Sequence, residues 1–366
     1  MNGSQETVHA TPPPVVNVKG SHCEIGQQVG EFAREQIKHS LDNAQEQIRS
    51  TYAVLELTWE GAKIQARKYI PFAQERYPQY VDEIEGLAQG ANVAFDDLAV
   101  LNAMEAVTMD ALHLTKCTSF AVNGECTADG HVLVAHNEDW LPEDESDVYL
   151  IHAEPDDEPP FLAMTYGGLI PNIGLNAFGI AQCCDSVYPT DSRIGIPRLV
   201  VSRAVLASRT PADAIRNAVL PRRAAGYNHL IAVESGEMFN VEVSARKFGI
   251  LYAENNYIAH TNHYLDPGMQ AIESEPDELI GTRVRYFRTI RLLKQTRKHT
   301  LKSLQEIQRD HINFPSAICN HADLEIDPFD REKTINAMVI DLTSRAIHIA
   351  WGNPCVNAYH TYYLNA

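Results

Sequence analysis

Apolar residues at Ile25, Val29, Phe32, Ala33, Ile37 and Leu41 recur at steps of three and four, the spacing of one helix face, and predict a helix over residues 22–52. Ser21 stands where an N-cap is needed, and Glu24 three residues on completes a capping box. Further helical stretches are predicted over Trp59–Arg76 and Pro78–Gly90, and another starts at Asp96-Asp97 and runs through Leu98, Leu101 and Ala106. At Cys117 the pattern changes to β. Thr118–Val122 and His131–Ala135 read as two strands of a hairpin, with turn residues Asn123-Gly124 and Asp129-Gly130 between them. Strands follow at Val148–His152, Phe161–Tyr166, Gly174–Ala181, His229–Val233, Phe239–Val243 and Tyr257–Thr261. Helices are predicted at Arg198–Ser208, Pro211–Asn217, Gly281–Thr296 and Leu301–Asp310, before strands return at Ile335–Asp341 and Ala346–Trp351.

Helix runs and strand runs are segregated, which favours a layered α+β architecture over a βαβ parallel sheet. No Gly/Ser-rich or Pro-rich linker divides the chain internally. Residues 1–16 are polar, include Pro12-Pro13-Pro14, and read as a disordered lead-in.

The formal charge of −18 excludes nucleic acid as an expected partner, because phosphate backbones demand a basic surface. No run of apolar residues is long enough for a membrane helix, and no Gly-rich phosphate loop is present. The N-terminus lacks the basic start and apolar stretch of a secretory signal, so a cytoplasmic location is expected. The seven cysteines then read as free thiols, and with no C-x-x-C pair no structural zinc is expected. His260, His263 and His321 lack an Asp/Glu spacing to support a metal, so neither metal nor cofactor is expected. The acidic surface does not prevent a homodimer.

Cys117 opens a strand directly after the helical region, and its partner strand ends at His136-Asn137-Glu138-Asp139-Trp140. A cysteine needs a base or a lowered pKa to attack a carbonyl at neutral pH. If the Lys116–Cys117 bond were cleaved, the freed α-amine, with a pKa near ~8, is a suitable base. Asp139 on the partner strand is placed to orient that amine.

On these residues the chain resembles the acyl-coenzyme A:6-aminopenicillanic acid acyltransferase family, which includes β-alanyl-amine hydrolases. Glu24-Ile25-Gly26, Glu85-Gly86-Leu87-Ala88-Gln89-Gly90, Leu101-Asn102-Ala103 with Glu105, Cys117-Thr118-Ser119-Phe120, Asn137-Glu138-Asp139-Trp140 and Gly352-Asn353-Pro354-Cys355 are similar to its motifs in order and spacing. The resemblance runs from about residue 19 to 366.

The resemblance implies a four-layer αββα sandwich, the N-terminal-nucleophile (Ntn) hydrolase fold. It also implies self-cleavage before Cys117, with residues 17–116 as the small chain and 117–366 as the large chain of one domain. Cys117 is then the nucleophile, and Asp139 holds its amine. Asn176 and Asn262 are the expected oxyanion donors. Arg285, with Arg283 as fallback, pins a substrate carboxylate or supports Cys117. Asn137 shapes the turn beneath the amine. Apart from the resemblance, Trp140 reads as capping the pocket behind the nucleophile or packing in the core, and His321, beside Cys319 and Asn320, reads as lining the pocket. Self-cleaving relatives carry glycine before the nucleophile, where this chain has Lys116. The expected function is hydrolysis of linear amide bonds in small N-acyl compounds. The alternatives are an acyl-coenzyme A-dependent acyltransferase acting on amide or thioester substrates, and an unprocessed relative that binds a ligand without chemistry.

Overall fold

The computed structural model describes residues 6–108, 116–274, 279–328 and 331–364. Its strands are β1 Val15–Gly20, β2 Lys116–Val122, β3 Leu133–Trp140, β4 Val148–Pro155, β5 Phe161–Tyr166, β6 Ile173–Asn176, β7 Ile180–Asp185, β8 Tyr227–Val233, β9 Met238–Val243, β10 Phe248–Tyr252, β11 Tyr257–His260, β12 Lys333–Asp341, β13 Ala346–Trp351 and β14 Tyr359–Tyr363. They form an eight-stranded sheet, in the order β1-β4-β5-β6-β7-β8-β9-β10, and a six-stranded sheet, in the order β11-β2-β3-β12-β13-β14.

Alternation of side chains along these strands decides the layers. In β4, Tyr149, Ile151 and Ala153 join a core with Ile25, Ile37, Ile84 and Leu87 of the early helices. Val148 and Leu150 face the other way, into a core shared with Val134, Met338 and Ile340 of the second sheet. The outer face of that sheet, with Phe120 and Ala135, is covered by Leu293, Leu304 and Ile307 from the helices Ile280–Gln295 and Leu301–Gln308. Three hydrophobic interfaces therefore separate four layers, helix, sheet, sheet and helix, which is the αββα sandwich expected.

The helices His22–Phe32 and Pro78–Ala91 approach so closely that a Cβ at Gly26 would sit 2.1 Å from the Glu83 carbonyl oxygen. A Cβ at Gly86 would likewise meet the Cys23 carbonyl at 2.1 Å. The Glu-Ile-Gly and Glu-Gly-Leu-Ala-Gln-Gly motifs are thus the two halves of one backbone-to-backbone contact. Beside it, buried Glu83 takes His22 Nδ1 at 2.8 Å and Arg203 Nη2 at 3.2 Å. Removing one partner of such a buried pair costs about 3–5 kcal/mol.

Several expected elements are subdivided. The helix over 22–52 breaks at Ala33, into His22–Phe32 and Arg34–Ser50. Trp59–Arg76 splits into Trp59–Ala66 and Ile70–Arg76, because Pro71 lacks the N–H that would continue the first helix. Gly174–Ala181 is a β6–β7 hairpin rather than one strand, turned by Asn176 Oδ1 accepting from the N–H groups of Phe178 and Ile180. The disordered lead-in expected over residues 1–16 is corrected for residues 6–16. β1 pairs in parallel with β4, the His9 ring stacks on Trp351 at 4.0 Å, and Glu6 accepts from His321 and Lys333. Residues 1–5 lie outside the described residues. No helix among the described residues is long and apolar enough to cross a membrane.

Candidate active site

The β2–β3 register sets the site. Cys117 lies opposite Glu138, Ser119 opposite His136, and Lys116 opposite Asp139. Because neighbours on a strand face opposite sides, Cys117 and Ser119 share the inter-sheet face with Ala121, while Lys116 and Thr118 share the outer face. Lys116 consequently points away from the thiol and towards Glu332, with Nζ 3.4 Å from Oε2.

The main chain of Cys117 is gripped on both sides. Its N–H donates to Asn262 Oδ1 at 2.7 Å, and its carbonyl accepts from Arg285 Nη1 at 2.5 Å. Arg285, only 1% exposed, also donates to Thr118 Oγ1 and, through Nη2, to Asn262 Oδ1, both at 2.9 Å. Asn262 is itself fixed by Nδ2 donating to the Ser186 carbonyl and by its N–H donating to Thr282 Oγ1. A guanidinium has no acceptor, so these contacts fix the asparagine with its oxygen towards Cys117.

On the thiol side, Cys117 Sγ lies 3.9 Å from Glu138 Oε2. That oxygen is 2.7 Å from His136 Nε2, and Glu138 Oε1 accepts from the Tyr166 hydroxyl at 3.1 Å. His136 Nδ1 meets Ser119 Oγ at 2.9 Å, and Ser119 Oγ donates to Asp185 Oδ1 at 2.8 Å. His260 closes the far end between Asp185 and Glu242. Burial pushes the Cys117 thiol well above its ordinary range, and the carboxylates of Glu138, Asp185 and Asp139 push it further. The backbone N–H of Asp139 pulls the other way and does not win. This cysteine is therefore a neutral thiol at neutral pH.

A narrow cavity opens onto the sulfur. Cys117, Glu138, Trp140, Tyr166, Arg198 and Tyr227 are among its walls. Arg198 pairs with Glu105 and lies over the Tyr227 ring at 4.5 Å, so the cavity combines aromatic faces with one fixed ion pair. Trp140 stands in its wall, with Nε1 donating to Asp144 Oδ2 at 2.6 Å.

Other residues singled out from the sequence fall elsewhere. The Asp139 carboxyl lies on the outer side of β3, where Oδ1 accepts from Thr334 Oγ1 at 2.6 Å. Burial pushes it well above the ordinary carboxylate range, against the opposing pull of Arg285 and Thr334. Asn137 donates to the carbonyls of Gln308 and Ile318, tying β3 to the outer helical layer. Asn176 spends Nδ2 on the carbonyls of Leu206 and Ser208 and does not reach Cys117. Arg283 pairs with Glu273 at 3.2 Å and is not in the cavity wall. His321 is also outside that wall, in a group with His311, Cys319 and Cys355. His260 and His263 do not join that group. Sequence reasoning passed over His136, Glu138 and Tyr166. Period-two alternation counted on from Val134 would have found the first two, since residues 134, 136 and 138 share one face.

Residues 126–355 match the family described as "Acyl-coenzyme A:6-aminopenicillanic acid acyl-transferase". The chain is 24% identical over 348 residues to the "Acyl-coenzyme A:6-aminopenicillanic-acid-acyltransferase 40 kDa form" of Emericella nidulans, covering 93% of this chain and 92% of that one. It is 27% identical over 223 residues to the "Beta-alanyl-dopamine/carcinine hydrolase" of Drosophila melanogaster, covering 56% of each. Among solved structures, a mutant conjugated bile acid hydrolase from Clostridium perfringens is similar at a TM-score of 0.44 and 12% identity, over 68% of this chain and 97% of that one.

Proposed function

Because the chain belongs to the acyl-coenzyme A:6-aminopenicillanic acid acyl-transferase family, we propose that it is an N-terminal-nucleophile enzyme that cleaves linear amide bonds of small N-acyl compounds through an acyl-enzyme on Cys117. The observation that carries this reading is the grip on Cys117: its thiol faces a cavity while Asn262 and Arg285 hold its N–H and carbonyl.

Maturation follows from that placement. Cys117 Sγ passes its proton towards Glu138 Oε2, 3.9 Å away, as it attacks the Lys116 carbonyl carbon, and the Lys116–Cys117 C–N bond breaks as the nitrogen takes up that proton. Water then hydrolyses the Lys116 thioester, leaving a carboxylate on Lys116 and a free amine and thiol on Cys117. Asn262 Oδ1, already an acceptor at 2.7 Å from this nitrogen, holds the new amine. The amine then supplies a base for turnover on the nucleophile residue itself. The two pieces, residues 1–116 and 117–366, stay together because β1 of the first is a strand in the sheet of the second. Lys116 is no obstacle to the pocket, since its side chain leaves on the outer face.

In turnover the amine takes the thiol proton as sulfur adds to the substrate carbonyl. It then returns that proton to the departing amine. Water resolves the acyl-enzyme, and an acceptor amine in its place gives the transferase reaction. Glu138, held by His136 and Tyr166, positions the thiol side of the site.

The test is to mix the purified protein with a slowly turned-over N-acyl amide or activated acyl ester and map the adduct by peptide mass spectrometry. Acylation confined to Cys117, with release of free acid, is expected. No adduct on Cys117 under conditions that consume substrate would overturn the reading.

A further inference from the structure

His311, Cys319, His321 and Cys355 stand apart from the active site and bring one ligand atom each to a common point, all within 4.8 Å of one another. His311 Nε2 and His321 Nε2 are 3.0 Å apart, and His321 Nε2 lies 3.6 Å from Cys319 Sγ and 3.8 Å from Cys355 Sγ. A tetrahedral ion with zinc–sulfur and zinc–nitrogen bonds of ordinary length sets its ligands roughly 3.3–3.8 Å apart. The two His321-to-sulfur separations fall in that range and the imidazole pair is closer, so the four atoms approach the spacing of a coordination shell.

The surroundings are those of a site built in advance. His321 Nδ1 lies 2.7 Å from Glu6 Oε1, whose other oxygen is held by Lys333 at 2.6 Å. With a carboxylate on Nδ1, that nitrogen carries a hydrogen and Nε2 is the nitrogen that a metal at the common point would take. Asn353 Nδ2 donates to Cys319 Sγ at 3.5 Å, the kind of outer contact that steadies a thiolate ligand. The loop that carries three of the four is folded on itself, with Cys319 N–H donating to the Asp310 carbonyl and His321 N–H to that of Pro315. Cys355 comes from the turn between β13 and β14. His311 is exposed and gives an entering ion its path, while Cys319 is fully buried.

We propose that His311, Cys319, His321 and Cys355 form a four-ligand structural zinc site that clamps the 311–321 loop to the C-terminal β13–β14 turn. Two thiolates and two imidazoles suit zinc, and four protein ligands leave no open position for catalysis. The clamp lies behind β3, the partner of the nucleophile strand. The Ile318 carbonyl receives Asn137 of β3, and the Asn320 N–H donates to Thr334 Oγ1, the group that holds Asp139. A metal at this corner therefore stiffens the backing of β3 without touching substrate.

The full chain, purified without chelator and re-equilibrated with zinc before dialysis, is assayed for metal by elemental analysis and native mass spectrometry. About one zinc per chain is expected, with Cys117→Ala retaining it and Cys319→Ser/Cys355→Ser losing at least tenfold in occupancy. Should the double variant not fold, cobalt added to the wild-type protein decides alone, since thiolate-ligated tetrahedral cobalt gives intense visible bands. Wild-type protein that takes up neither ion overturns the proposal. So does a mass lowered by a Cys319–Cys355 disulfide that persists in the presence of zinc.

Discussion

The two cysteine settings of this chain differ in what surrounds the sulfur, and the difference decides the chemistry open to each. Cys117 faces carboxylates: Glu138 is 3.9 Å away, and Asp185 adds its charge through the same buried polar chain. Burial and these charges keep it a neutral thiol. Cys355 faces a second cysteine and two histidines. The hydrogen bond from Cys319, against the effect of burial and with help from His321 and His311, pulls it down to about 4. The first setting keeps its sulfur protonated beside Glu138, and cleavage at Lys116–Cys117 would add an amine base for turnover. The Cys319–Cys355 contact, with burial, pushes Cys319 well above its ordinary range, so the second setting shares a proton between its two sulfurs that a metal ion would displace.

The largest effect that tests this contrast is expected from Cys117→Ala, which should lower amide turnover by on the order of 10⁵-fold or more while leaving the metal content unchanged. Steady-state rates and elemental analysis on the same preparation check both halves. Next is Arg285→Lys. A lysine cannot bridge the Cys117 carbonyl, Thr118 and Asn262 together, so kcat/KM should fall by about 10²-fold, whereas Arg283→Lys should stay within about twofold. Equal losses at both positions would break the assignment of the gripping arginine.

A smaller effect concerns the carboxylate-rich end of the polar chain. Burial alone would lower the His260 pKa, but Asp185 and Glu242 outweigh it and push it up to about 9. Its unfolded value is near 6.5. The stabilisation is therefore complete below pH 6.5 and is lost as the pH rises through 9, up to about 3 kcal/mol in all. Urea midpoints across that range should fall for the wild type and flatten for His260→Gln. The smallest change is expected from Glu138→Gln, which removes one charge that raises the Cys117 thiol. The half-point of Cys117 alkylation by iodoacetamide should move to lower pH, and an upward move would remove Glu138 from the account.

Periodicity in the sequence located the helical first third, the hairpin at Cys117 and the final strands, since each buries a face that repeats at 3.6 or 2 residues. Family motifs added the four layers and pointed to Cys117, Asn262 and Arg285, which the fold brings into contact, with Asn262 accepting from Cys117 and spending its Nδ2 on Ser186 rather than standing as the oxyanion donor expected. Register was the missing quantity. Asp139 was singled out as the partner of Cys117, but the pairing is one residue off, and that slip turns its side chain to the other face in favour of Glu138. Asn176 illustrates a different failure: a polar residue in a suggestive motif was needed to turn a hairpin. The four-residue cluster was invisible for a third reason. Its ligands come from a loop at 311–321 and a turn at 355, so no short spacing announces them. Residue 6 entered the same corner through Glu6, from a segment whose composition reads as a disordered tail.

The most direct test of the central claim is the denatured intact mass of freshly purified protein beside its Cys117→Ala variant. The account predicts two polypeptides for the wild type, the larger beginning at Cys117, and a single chain for the variant. A single 40.8 kDa species for both would contradict it, because Cys117 would then remain a buried neutral thiol without the amine that makes it a nucleophile.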